Sequence, residues 1–344
     1  MRYECYLSEP ARQVLEQRTG VVIPVHLDDV DAGGHGRTLL ADTVSACVSC
    51  VSDPGSICLS VDGERYGSDV ARGIAQRFGT RLCVQADNKG KLSAAIEGVR
   101  TVMDMDALEY VAIVDQDGDH FANELVNFVR TAQHIARQTG DGRVLVLGQR
   151  SVRWHPMGFL RGELEELASR VLLDALTYRA AISGCPLQLE YMLPQDELPD
   201  FHSGYKLFDR QTASAVFLAE PQKMGVSAEC YYRHACEAVM VVEALQSGAR
   251  FGVVQRSTLN GQPMSVFGKF VTSRLTADMI LWPCRRLDVP LEFVEQWMLN
   301  HMGRLRLATV APEGMAELEC VRNFVIEGYG DHKGAAALRG PLFV

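Results

Sequence analysis

The sequence predicts an α/β fold, a mostly parallel central sheet with helices on both faces. Short apolar, β-rich runs recur at Val21–Leu27, Ile57–Val61, Arg81–Ala86, Tyr110–Asp115 and Val144–Gly148. Between them lie stretches with helical spacing, near Thr38–Val51, Ser68–Phe78, Lys91–Met105 and Asn123–Thr139. Alternation at this pitch is how parallel strands joined by crossover helices read in sequence. In such sheets ligands bind beyond the carboxyl ends of the strands, so the residues that end each strand are the ones to read for function.

Composition narrows the classes. A chain of 344 residues with 47% apolar and 22% charged residues buries a full core. A net charge of −9 with no basic run argues against nucleic acid as a partner, which needs clustered Lys and Arg. The first residues lack the apolar core of a signal peptide, and no stretch approaches the ~20 apolar residues that span a bilayer. Ten scattered cysteines fit reduced thiols, so a cytoplasmic location is expected. Cys47-Val48-Ser49-Cys50 has redox-like spacing but lies in an apolar helical pattern and reads as core.

The strand ends carry the unusual residues. The first is followed by Pro24-Val25-His26 and the glycine-rich acidic loop Asp28–Gly36. The second ends in Asp62-Gly63-Glu64, the third in Asp87-Asn88-Lys89-Gly90-Lys91 and the fourth in Asp115-Gln116-Asp117-Gly118-Asp119-His120. Extended alternation would send Asp115, Asp117 and Asp119 to one side, where three carboxylates hold Mg²⁺ or Mn²⁺ and the cation relieves their repulsion. An EF-hand loop is excluded, since His120 stands at its sixth position and Val126 at its twelfth.

Read together and in order, these segments resemble a family 2-type glycosyltransferase with the GT-A fold, and most of all its polyprenyl-phosphate-mannose synthase branch. The resemblance runs from Val21 to Arg256. Val22-Ile23-Pro24-Val25 is similar to the opening strand, Asn88-Lys89-Gly90-Lys91 to the N-x-G-x segment, and Asp115-Gln116-Asp117 to the D-x-D strand end. His202-Ser203-Gly204-Tyr205-Lys206 is similar to the S-G-[FY]-K segment of that branch. The resemblance implies a UDP- or GDP-linked sugar donor whose base meets Pro24, Val25 and Asp62. His26 stands where the family often has Tyr. Lys89 or Lys91 would meet a phosphate or the ribose, Asp115 the ribose and sugar, and Arg256 the diphosphate, with Asp117 and Asp119 on the cation. The loop His202–Lys206 would face acceptor or diphosphate. Asp119 departs from the family's usual Gln or small polar residue.

A catalytic base is sought in the second half. Glu237 lies in a helix read over Glu229–Ser247, eleven residues before Gly248, and the family carries an acid at a similar offset. It would take a proton from an acceptor hydroxyl in an inverting displacement, with Glu229 and Asp200 as weaker candidates. Arg150, Arg153, Trp154 and His155 follow the fifth strand and suit a sugar face or an anionic acceptor. A retaining enzyme of the phosphoglycerate kind is the close variant. A sugar-phosphate nucleotidyltransferase is disfavoured, because the first loop has only Arg37 against three aspartates. The expected domain plan is an arm over 1–20, the catalytic domain over 21–256 and a mainly helical extension over 257–344, which offers a homodimer surface. The expected acceptor is a soluble small molecule or glycan.

Overall fold

The structure is a computed structural model that describes residues 11–28, 33–152, 158–192, 198–258 and 271–330. Seven strands form one sheet: β1 (Thr19–Val25), β2 (Ile57–Val61), β3 (Arg81–Val84), β4 (Tyr110–Ile113), β5 (Val144–Arg150), β6 (Lys206–Asp209) and β7 (Arg250–Arg256). Their spatial order is β3-β2-β1-β4-β6-β5-β7. All neighbours run parallel except β6, which is antiparallel to both β4 and β5.

Helices α1 (Ala11–Arg18), α2 (His35–Val48), α3 (Ser68–Phe78), α4 (Lys91–Met103) and α5 (Leu125–Thr139) alternate with the first five strands. They cover both faces, and the strand residues sort between two cores with the period of two that a pleated strand imposes. Val22, Val111, Ile113 and Leu145 join α4 in one core, while Val21, Ile23, Ala112 and Val146 join α2, α3 and α5 in the other. All seven residues of β1 and of β5 are buried, as expected of strands covered on both sides.

The second half adds α6 (Phe159–Ser183), α7 (Cys236–Gln246), α8 (Thr272–Arg286), α9 (Leu291–Met302) and α10 (Gly314–Tyr329). The last three follow β7 in the chain. They share the first core, where Trp282, Val294 and Leu318 are fully buried. Three expectations shift. Residues 11–20 are not an arm: α1 buries Ala11, Val14 and Leu15 in the second core, and Thr19 already belongs to β1. The helix read over Glu229–Ser247 is broken, with a π-turn at Cys230–His234 before α7 starts at Cys236. And Lys206–Asp209, read only as a short segment, is a strand inside the sheet.

Candidate active site

The carboxyl ends of β1, β2 and β4 open on a cavity of about 300 Å³. Pro24, Val25 and His26 leave β1 into its wall, and the His26 ring stacks on Tyr66 at 4.4 Å. Gln116, from the turn after β4, grips the His26 backbone twice: its Nε2 donates to the carbonyl at 2.7 Å and its Oε1 accepts from the N–H at 3.0 Å. This pairing ties the first strand end to the acidic turn.

Asp62 lines the same cavity but holds a turn as well. Its carboxylate accepts from the backbone N–H groups of Lys89 at 2.8 Å and Gly90 at 2.9 Å. Those amides open α4, whose N-terminus favours negative charge. Of the two lysines in that turn, Lys91 points into the cavity, whereas Lys89 is exposed and does not line it.

The acidic cluster does not run straight. β4 ends at Ile113, the chain turns at Gln116 and Asp117, and Gly118 adopts φ 78°, a conformation that favours glycine. Asp115 and Asp117 therefore face the cavity while Asp119 turns away from it. Asp119 is 1% exposed and binds Arg256, whose Nη1 donates to its Oδ2 at 2.9 Å and to its carbonyl at 3.0 Å. This corrects one expectation, since Asp119 is not placed as a metal ligand; Arg256 lines the cavity and is paired with Asp119 there. His120 lies flat against Tyr205, with ring centroids 4.5 Å apart. Its Nδ1 accepts from the backbone N–H of Asp115 at 2.8 Å, and burial, with Arg256 nearby, keeps it neutral by holding its pKa well below the usual value.

Lys91 joins the D-x-D turn to α7. Its ammonium sits 2.6 Å from Asp115 Oδ1 and 2.6 Å from Glu237 Oε1. The other Glu237 oxygen accepts from Lys206, which also donates to the Ser203 carbonyl and is wholly buried. Burial opposes the charge of Lys91, yet Asp115 and Glu237 outweigh it and hold the amine well above its ordinary value. Burial likewise opposes the charge of both carboxylates, but Lys91 wins at Asp115, and Lys206 with Lys91 wins at Glu237, so both stay low. Asp117 goes the other way. Burial and the neighbouring Asp115 push it up to about 6.

These facts test the fit of a divalent cation. Among the described residues no group of three or more His, Cys, Asp and Glu is arranged to hold a metal. Asp117 nonetheless fits: it faces the cavity, and burial with the neighbouring Asp115 raises its pKa to about 6, a shift that a bound cation would oppose. A nucleotide-bound Mg²⁺ needs only one or two protein carboxylates, with phosphate and water completing its shell.

The remaining expected residues divide. Arg150 lines the cavity, is 4% exposed and forks onto Asp200 Oδ1 at 2.7 Å and Glu165 Oε2 at 2.6 Å, which ties β5 to α6 and to the loop before β6. Asp200, fully buried in that fork, is no base, and Glu229 is exposed and does not line the cavity. In the loop before β6 only His202 and Gly204 reach the cavity, while Ser203, Tyr205 and Lys206 are buried behind it. Gly204 must lack a side chain, because a Cβ there would lie 2.4 Å from Asp115 Oδ2 and 2.7 Å from Lys91 Nζ. Arg153, Trp154, His155 and part of the loop Asp28–Gly36 lie outside the described residues.

Sequence reading missed several lining residues. Arg233 and His234 come from the π-turn; Arg233 donates to Asn88 Oδ1, and His234 Nδ1 lies 2.7 Å from Asp278 Oδ2. Arg161 and Glu165 come from α6, and Leu275 and Met279 from α8. The adjacent Arg-His pair before Glu237 was the one local signal available.

No family model matches the chain, and no curated protein matches it by sequence. Among solved structures it is similar to glucosyl-3-phosphoglycerate synthase from Mycobacterium tuberculosis in complex with phosphoglyceric acid. That alignment has 15% identity and a TM-score of 0.49, and covers 82% of this chain and 83% of that one. The complex of the same synthase with Mn²⁺, UDP-glucose and phosphoglyceric acid aligns at 18% identity and a TM-score of 0.46, over 82% and 83% of the two chains. Residues 1–349 of S. aureus TarS align at 12% identity and a TM-score of 0.39, over 92% of this chain and 93% of that one.

Proposed function

We propose that this chain is a metal-dependent glycosyltransferase that takes its sugar from a UDP- or GDP-linked donor and passes it, with inversion, to a hydroxyl acceptor. The observation that carries the reading is the convergence of Asp115 and Asp117, Lys91 and the β1 end on one cavity at the carboxyl edge of a mainly parallel sheet. That edge is where nucleotide ligands sit in such sheets, and about 300 Å³ is within the range of ligand sites. The kinship with the polyprenyl-phosphate-mannose synthase branch rests on the sequence segments alone.

In this reading Pro24, Val25 and His26 border the base, and Asp62 shapes that border through the Lys89–Gly90 turn. Asp117 would hold the cation, which when bound would supply positive charge to the departing diphosphate. Lys91, shared by Asp115 and Glu237, is the cation of the protein itself that can turn to the same phosphates. Withdrawing it leaves Glu237 paired with Lys206 alone, and a carboxylate relieved of one of two cations is the better base.

Calorimetric titration of UDP and GDP, with Mn²⁺ and then with chelator, tests the reading. Micromolar binding lost on chelation and lost in Asp117→Ala supports it. Binding of neither nucleotide, or binding indifferent to both chelator and substitution, refutes it.

A further inference from the structure

Part of the cavity lining is not used by the nucleotide reading: Arg161 and Glu165 from α6, Leu275 and Met279 from α8, and His202 form this end, and α6 and α8 pack on each other. We propose that this end is the acceptor subsite, and that it selects an uncharged hydroxyl-bearing acceptor, with a hydroxyl on His202 Nε2 and an apolar face on Leu275 and Met279. The proposal rests on the glycosyltransferase reading above and names the substrate class for it.

His202 is 6% exposed, its Nδ1 shares a hydrogen bond with Ser169 Oγ at 3.1 Å, and its Nε2 has no partner. A buried ring nitrogen left unmet is unusual in a folded chain and calls for a ligand group. Its place is right for an acceptor. Gly204, two residues on, lies against Asp115 and Lys91, so at about 3.3 Å per residue the His202 backbone stands within about 7 Å of the glycine that touches that pair. This is the reach of one sugar ring from the donor side.

Charge decides the class. Two guanidinium groups of the lining are matched: Arg150 by Asp200 and Glu165, and Arg161 by Glu165, whose Oε1 it meets at 2.7 Å. A phosphate or carboxylate arriving here would meet two cations already balanced by two anions. The His202 ring does not help an anion either, since burial lowers its pKa to about 4 and leaves it neutral near pH 7. One N–H or one lone pair is what it offers, and a hydroxyl uses either. Leu275 and Met279, four residues apart on α8, form one apolar stripe. The C–H face of a sugar ring or polyol fits such a stripe.

The test uses the full chain with Mn²⁺. Binding of UDP and GDP is measured first, with no acceptor present; failure there sinks the glycosyltransferase reading and the subsite with it. Methyl glucoside and glucose 6-phosphate are then compared, in the presence of nucleotide, for thermal stabilisation and for their effect on turnover of UDP-glucose or GDP-mannose. At least a tenfold lower half-saturating concentration is expected for the neutral sugar. Equal responses, including none from either, overturn the subsite while leaving the nucleotide result standing. His202→Ala should raise the acceptor KM at least tenfold with nucleotide Kd unchanged, and an unmoved KM removes His202 from the subsite. Leu275→Arg, at a half-buried position, adds an unmatched cation and should improve glucose 6-phosphate at least tenfold. If His202→Ala does not fold, that gain decides the matter, and its absence overturns the charge argument.

Discussion

Two charge clusters reach the same cavity in this molecule, each with two cations and two anions. Arg150, Arg161, Asp200 and Glu165 make one, and Lys91, Lys206, Asp115 and Glu237 the other. The first is closed by forked guanidinium bonds that fix geometry. The second is closed by ammonium groups, which are point charges that turn readily to a new anion, and beside it stands Asp117 with a pKa pushed up to about 6. The first braces β5; the second is set to receive. Composition alone does not separate a structural cluster from a working one. The kind of cation and the raised pKa of the neighbouring carboxylate do.

The largest expected effect belongs to the closed cluster. Arg150→Met leaves Asp200 and Glu165 buried without their shared cation, and removing one partner of a buried pair costs about 3–5 kcal/mol. Urea unfolding should show that loss, and nucleotide affinity measured on the folded fraction should not change. A loss below about 1 kcal/mol would erase the distinction between the clusters.

Glu237→Gln should cost somewhat less, about 3 kcal/mol, because wholly buried Lys206 keeps an oxygen to donate to but loses the negative charge that Glu237 supplies. If Glu237 is also the base, turnover falls by about 10²–10⁴-fold in the protein that remains folded. Stability lost with turnover intact would make it a brace after all.

Asp117→Ala should weaken Mn²⁺-dependent nucleotide binding by about 100-fold, on the order of 2.7 kcal/mol, and should not destabilise the metal-free protein. The pH dependence has a definite sign. A carboxyl raised in the folded state binds its proton more tightly than the unfolded chain does, so stability is lost as pH rises from the ordinary Asp value of about 4 to about 6. Thermal melts across that window should show a drop in wild type that Asp117→Ala lacks.

Asp62→Ala gives the smallest effect, about 1–3 kcal/mol, the loss expected when charge-assisted bonds to backbone amides are removed. The loss should appear in stability without nucleotide. If only nucleotide affinity falls, Asp62 reads the base rather than holding the turn.

Strand ends were legible because they are local. Pro24, His26, Asp62, Lys91, Asp115 and Asp117 all reach the cavity that the alternation predicts. Asp119 was misread because the period-two argument needs extended backbone, and Gly118 at φ 78° ends it. Long-range pairings were out of reach: Lys91 and Glu237 are 146 positions apart, and nothing local announces that Arg150 meets Asp200. The same holds for Leu275 and Met279, which read as ordinary core spacing until α8 is laid beside the cavity.

The reversed direction of β6 sets a polarity of tolerance along its own chain. In every parallel strand here the active edge meets the segment that follows; in β6 it meets the one that precedes. Extra residues spliced in just before Lys206 would push Gly204 off Asp115 and Lys91, whereas the same splice after Asp209 falls on the opposite rim. Graded insertions at those two points should therefore behave as mirror images of what any other strand in this sheet would show.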